Sequence, residues 1–330
     1  MMGERKVNFA QAIREALAEE MQRDPRVVLL GEDIGVYGGI FTATRTLQDR
    51  FGPERVWDTP ISEAGIAGMA VGMALMGMRP VIEIMYEDFA AISLDQIVNN
   101  AAKLRYMSGG KADVPLVVRT QGGSGRGNGA QHSQSLETWF AHVPGLVVVM
   151  PSTPRDAKGL LKSAIRDDNP VVFIEHKMLY FTSGMIKEEL CLPLGKAEIK
   201  REGSDVTVIA TSWMVGRALA AAETLMSRHI SVEVIDPRTL RPLDEETILS
   251  SVKKTGRALI VHEAVRFCGI GAEISALITE NLFHDLKGPV KRLTGADAPI
   301  PYAANLEKAA IPTEESIAEE ILRLMSRQSS

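Results

Sequence analysis

Polar and apolar positions along this chain follow two alternating periods. Phe9, Ala12, Ile13, Ala16, Leu17 and Met21 fall on one stripe of a helix predicted over residues 8–21, which Asp24-Pro25 ends. Short, largely apolar runs follow at 27–30, 81–85, 115–119, 146–150 and 171–174, with Glu83 and Arg119 as their charged members. They have no polar alternation to give them a solvent face, which is the signature of strands in a parallel sheet covered on both sides. Helical patterns lie between them, at 44–51, 64–78, 94–107 and 153–167, the last with Thr153 as cap and Pro154 at its first position. The pattern weakens from 181 to about 203, in short Gly, Pro and charged pieces. It then resumes, with strands at 206–210, 232–235, 258–261 and 290–293 and helices at 215–228, 245–254, 271–283 and 314–325. This order predicts an α/β protein of two domains, 1–184 and 205–330, joined by a linker over 185–204.

The stretch DTPISEAGIAGMAVGMALMG, residues 58–77, departs from the pattern. Glu63 stands at the head of an otherwise apolar helix, with Ser62 or Thr59 placed to cap it. Ala64, Gly68 and Gly72 recur along one side, beside Gly65 and Met69. Each helical glycine costs about 0.8–1 kcal/mol relative to alanine, so several together suggest close approach of another backbone or a ligand. The apolar run is shorter than the roughly 20 residues that span a bilayer, and it reads as a buried helix. Glu63 then has two readings. It is a helix-head carboxylate favoured by the dipole, or a buried carboxyl, raised in pKa, that hydrogen-bonds a ligand nitrogen.

Other candidates lie where α/β sheets place ligands, beyond strand ends. MYEDF follows the strand at 81–85, and Phe89 suits either core or stacking on a flat heteroaromatic ring. His132 follows the glycine-rich GGSGRGNGAQ and is either structural or an acid/base group. His142 and His176 are weaker candidates. The glycines of 122–129 do not make the G-x-G-x-x-G of a dinucleotide fold, and no Gly-Lys-Ser/Thr loop occurs. The net charge of -5 and the absence of a basic block disfavour nucleic acid. Cys191 and Cys268 sit among apolar residues, which predicts buried free thiols in a reducing compartment. The N-terminal segment lacks a signal-peptide core, and the expectation is a cytoplasmic protein without membrane contact.

Taken together, DTPISEAG, EIMYEDF, DQIVNNAAKLRYMSGG, GAQHSQS, HVPGLVVVMPSTPRDAKGLLKSAIRDDNPVV and LTGADAPIPYA resemble one family over essentially the whole chain. It is the beta subunit of the thiamine-diphosphate-dependent decarboxylating component of 2-oxo acid dehydrogenase complexes. The resemblance implies a transketolase-like fold: a thiamine-diphosphate pyrimidine-binding domain and a transketolase C-terminal domain. It implies that Glu63 hydrogen-bonds the aminopyrimidine, with Phe89 and Met85 packing nearby, and that His132 serves the reacting end. Leu116, Ala164, Asp167 and Asn169 match positions that hold potassium in some relatives.

The chain carries no Gly-Asp-Gly with a downstream Asn-Asn, the family's magnesium-diphosphate motif, which in this family lies on a separate alpha subunit. The resemblance therefore implies half an active site. The expected assembly has two alpha and two beta chains, with Mg2+ held mainly by alpha, and passes its product to a dihydrolipoyl acyltransferase. Pyruvate, acetoin and branched-chain 2-oxo acids remain open as substrates, the first two favoured by the segments around 142–161 and 175–180. A self-sufficient transketolase-type enzyme should carry Gly-Asp-Gly itself. A non-catalytic scaffold subunit should be indifferent to changes at Glu63.

Overall fold

Runs such as VVLLG, RPVIEI and VVFIEH bury almost every residue and can persist only between two layers of helices. The computed structural model, which describes residues 4–187 and 190–326, builds them into two α/β units. One unit runs to Gly122 and resumes over Trp139–Leu194; the other takes Gly123–Thr138 and the chain from Gly195 onward.

In the first unit, parallel strands stand in the order Val147–Val149, Val171–His176, Val117–Gly122, Arg79–Ile84, Val27–Gly31 and Val56–Asp58. The register sets Gly31 beside both Glu83 and Asp58, so three loops leave the sheet at one end. A separate antiparallel pair joins Arg5–Asn8 to Ser183–Ile186. The helix Phe9–Arg23 begins at Asn8, whose side chain accepts from the Gln11 N–H at 2.7 Å. It packs on Pro154–Arg166, where Thr153 caps as the sequence predicts. Fully buried Lys158 crosses that contact and pairs with Glu19 at 2.6 Å.

In the second unit, Lys291–Gly295, Ala258–Val265, Val206–Ala210 and Val232–Asp236 run parallel, and Glu198–Arg201 adds antiparallel to the edge. This edge strand falls within the stretch read as a linker. Trp213–Met226 and Glu314–Ser326 cover one face through Ala218, Ala222, Ile317 and Ile321. On the other face Thr207 is held by hydroxyls of Ser251 (2.8 Å) and Thr255 (2.9 Å) from the helix Glu245–Thr255.

Several elements are shorter or looser than the periodicity predicts. The helix expected from 44 is confined to Leu47–Phe51, and the one expected over 94–107 opens as a wide π-type turn, Asp95–Ala101, before Ala102–Met107. The helix Glu63–Leu75 is not the buried helix expected. It buries Ile66, Ala67, Ala70, Val71 and Ala74, while Met69, Gly72, Leu75 and Met76 are exposed.

Candidate active site

The sheet of the first unit delivers a set of carboxylates to its carboxyl end. Gly31 ends one strand, and Glu32 follows it. Its neighbour across the register, Glu83, points from the next strand just before Met85. The side chain of Asp58 accepts the N–H groups of Gly35 (2.6 Å) and Val36 (3.1 Å), which fixes the loop after Gly31. The helix Glu63–Leu75 then starts from Ser62, whose side chain makes no capping bond; its carbonyl accepts from Ile66 at 2.8 Å. Neither Ser62 nor Thr59 caps as expected: the Thr59 hydroxyl oxygen is buried with no hydrogen-bond partner among the described residues.

Glu32, Ser62, Glu63, Ile66, Glu83 and Met85 line one small recess. Glu63 and Met85 thus lie together, and Phe89 is half-buried in the 3-10 turn Glu87–Ser93, which packs on the same helix. Glu63 is half-buried rather than fully enclosed, and no side-chain hydrogen bond or ion pair ties it to another described residue. Burial raises the carboxyl of Glu32 above its ordinary range, helped by the charges of Asp33 and Glu63.

Behind the recess lies a fully buried guanidinium. Arg119 donates to Glu83 at 2.6 Å and, bidentately, to Glu175 at 2.7 and 2.8 Å. The Tyr180 hydroxyl also donates to Glu175, and the Tyr180 ring stacks on Phe41 with centroids 4.2 Å apart. Burial alone would lower the pKa of Arg119; the charges of Glu175 and Glu83 outweigh it and hold the group well above its usual range. Burial pushes Glu175 up, against the pull of Arg119. The bidentate geometry requires a carboxylate acceptor, and we take the cluster as charged. The sequence contains these residues, but nothing in one strand's pattern marks Arg119 as paired.

His132 belongs to the glycine-rich loop that groups with the second unit. It is half-buried, and its N–H faces the Gly129 carbonyl at 3.4 Å. The loop is held by carboxylates remote in sequence: Glu263 accepts from the Ser124 N–H, and Glu307 from those of Gly125 and Gly127. Glu137, at the end of the loop, is fully buried, and burial, with the charge of Glu263, pushes its carboxyl up to about 7. The Ser124 and Ser133 hydroxyl oxygens are buried without partners among the described residues. Of the weaker histidines, His142 is exposed, and His176 is buried with Nδ1 accepting from the Met178 N–H.

The four positions matched to potassium lie near one another in the first unit. The Leu116 carbonyl accepts from Val171 at 2.8 Å, and the Ala164 carbonyl accepts from Asp167 at 3.3 Å. The Asp167 side chain accepts from both the N–H and the amide of Asn169, at 2.8 and 2.9 Å. The two carbonyl oxygens each retain a further lone pair, whereas Asp167 Oδ1 accepts both bonds from Asn169 and leaves Oδ2 as the carboxylate's other acceptor. Among the described residues no three His, Cys, Asp or Glu side chains converge as a metal site. Cys191 and Cys268 are both exposed, not buried as their apolar neighbours suggest.

Residues 5–182 match the transketolase pyrimidine-binding domain and residues 195–317 the transketolase C-terminal domain. The chain is 50% identical over 318 residues to the pyruvate dehydrogenase E1 component subunit beta-2, mitochondrial, of Oryza sativa subsp. japonica, covering 95% of this chain and 85% of that protein. It is 46% identical over 319 residues to the pyruvate dehydrogenase E1 component subunit beta of Rickettsia felis, covering 96% and 98%. A solved structure described as a split-gene transketolase, an inactive beta4 tetramer, shares the fold with a TM-score of 0.79 at 20% identity, over 98% of this chain and 99% of that one. No helix of the described residues is long and apolar enough to cross a membrane. On the two matched domains and the near-complete alignment to these relatives, the chain belongs to the family of beta subunits of the thiamine-diphosphate-dependent decarboxylating component of 2-oxo acid dehydrogenase complexes.

Proposed function

We propose that this beta subunit contributes the aminopyrimidine side of a thiamine-diphosphate site, in an enzyme that oxidatively decarboxylates pyruvate and passes the acyl group to the lipoyl group of an acyltransferase. The observation that carries the reading is Glu63. It is a half-buried carboxylate with no side-chain partner among the described residues, at a helix head, sharing a recess with Met85. These residues fit a flat, nitrogen-rich ring: a carboxylate to hydrogen-bond it, a thioether and the Phe89 ring to pack on it. Thiamine diphosphate, when bound, supplies the electron sink for loss of carbon dioxide from a 2-oxo acid. Glu63 would hold a proton at the ring and orient it; Met85 and Phe89 would keep water from that end. His132 would move a proton to or from the substrate oxygen.

The names of the relatives at 46–50% identity favour pyruvate. The two-alpha, two-beta assembly, Mg2+ on the alpha chain and a structural K+ at Leu116, Ala164, Asp167 and Asn169 belong to this proposal. So does the cytoplasmic location; the plant relatives carry the word mitochondrial in their names and the Rickettsia felis protein does not.

The test is reconstitution with the cognate alpha chain, assayed on pyruvate, acetoin and 3-methyl-2-oxobutanoate. Pyruvate should give the highest kcat/KM, and Glu63→Gln should lower turnover by two or more orders of magnitude, the scale of a lost proton-handling group. Wild-type turnover in Glu63→Gln, or preference for another substrate, would overturn the corresponding part.

A further inference from the structure

We infer that Glu307, seconded by Glu263, is a positioning residue that sets the place of His132. The inference rests on the reading of His132 as an acid/base group.

The loop that carries His132 cannot hold a shape by itself. Gly123, Gly125, Gly127 and Gly129 all have positive φ, from 63° to 101°, in the region where glycine alone is unstrained. Such alternation turns backbone N–H groups inward to form an anion-binding nest. In this chain the anion is a side chain. Glu307 Oε1 accepts from the Gly125 N–H at 2.7 Å and the Gly127 N–H at 3.2 Å, and Oε2 accepts from Gly127 at 3.0 Å. Glu263 Oε1 accepts from the Ser124 N–H at 2.6 Å. The base is closed by Gly123 N–H to the Gln134 carbonyl at 2.8 Å. At the far side a Cβ on Gly129 would lie 2.4 Å from the Tyr302 ring, so that ring lies flush against the turn from which His132 departs.

The supplier of the main anchor has no other evident task. The helix Ala304–Ala309 is short, and Glu307 is the one residue along it that is buried, at 4% exposure, while its neighbour Leu306 is exposed. A helix that buries a carboxylate and exposes a leucine is not packing a core; it presents the carboxylate to the nest. A buried carboxylate needs its donors, and the nest supplies three contacts. Glutamine at 307 would keep the shape, but its amide would set a donor against the loop's donors. Loop and His132 would then be released together.

The experiment uses the reconstituted alpha–beta enzyme with Glu307→Gln, Glu307→Asp, Glu263→Gln, His132→Gln and the double variant Glu307→Gln/His132→Gln. Expected are a kcat about tenfold or more lower in Glu307→Gln with KM little changed, partial recovery in Glu307→Asp, and faster tryptic cleavage after the exposed Arg126. The double variant should lose no more than His132→Gln alone, because residues acting as one unit are not additive. If Glu307→Gln fails to assemble, Glu263→Gln is read in the same way through Ser124. Losses that multiply in the double variant, or wild-type kcat in Glu307→Gln and Glu263→Gln while His132→Gln is inactive, overturn the inference and leave the reading of His132 standing. Wild-type turnover in His132→Gln overturns that reading and the inference with it.

Discussion

Replacing Arg119 by methionine tests whether the charge cluster behind the recess stabilises the first unit. The change keeps an unbranched chain of similar length and removes a guanidinium that is 1% exposed. Two carboxylates, Glu83 at 5% and Glu175 at 0% exposure, lose their cation. Removing one partner of a buried pair costs about 3–5 kcal/mol. For a unit of 150–250 residues each kcal/mol lowers Tm by roughly 2–4 °C, so the unit's transition should fall by about 6–20 °C.

The pH dependence gives a sharper test. Without Arg119, burial raises both carboxyls in the folded state above their unfolded values. A group raised in this way contributes stability that is present below its unfolded pKa and is lost as pH rises. The deficit against wild type should therefore be smallest near pH 5 and grow toward pH 8. Adding Glu83→Gln and Glu175→Gln to Arg119→Met should recover part of the loss, because no unpaired charge then remains. Calorimetry of wild type and variants across that range decides the matter. A deficit below about 1 kcal/mol at pH 7, or one that does not change with pH, would refute the reasoning.

Glu137 should make wild-type stability depend on pH in a window of its own. Burial raises its carboxyl from 4.5 to about 7, so the stabilising protonated form is complete below 4.5 and is lost as pH rises to about 7. That shift corresponds to a loss on the order of 3 kcal/mol, and Glu137→Gln should flatten the slope and exceed wild type in denaturant midpoint at pH 8; parallel curves for the two would discard the assignment. Gly72→Ala should stabilise the isolated beta chain by about 1 kcal/mol, because a Cβ there meets nothing within 4 Å and alanine is the better helix former. A lower melting temperature for that variant would show that the exposed glycine face has a contact within the chain.

What could be read from the sequence depended on how local the signal was. The strand at 206–210 and the helix opened by Thr153 carry their own boundaries, in near-uniform apolarity or in a cap. That Glu63 and Met85 line one recess, with the turn of Phe89 packed on the same helix, follows from their places at a helix head and past a strand end, where α/β sheets gather side chains. The edge strands Glu198–Arg201 and Ser183–Ile186 were not legible, because the charges of the first and the short, largely exposed SGMI of the second carry no strand pattern, and both acquire strand geometry only by pairing with distant partners. For the same reason the residues that hold the site were missed. Arg119 meets Glu83 and Glu175 across 36 and 56 residues, and Glu307 meets Gly125 across 182. Cys191 and Cys268 failed in the opposite direction, since apolar neighbours in sequence do not bury a side chain that points outward.

The recess holds three carboxylates of the same chemistry, and their surroundings differentiate them. Glu83 is committed to Arg119, which fixes its charge and orientation. The Glu32 carboxyl is raised above its ordinary range by burial and by the charges of Asp33 and Glu63. Glu63 has neither a cation nor a side-chain hydrogen bond among the described residues, and it stands in the first turn of a helix, where the backbone N–H groups favour a negative charge. A paired, a desolvated and an uncommitted carboxylate thus stand side by side, differentiated by neighbours rather than by residue type. Under the proposed function, the uncommitted one is the carboxylate that would meet an incoming ring nitrogen. Under the proposed role of Glu63, a helix-head dipole and a ligand contact, which compete as explanations when the sequence is read locally, would act together: the dipole would favour the charge that the ligand meets.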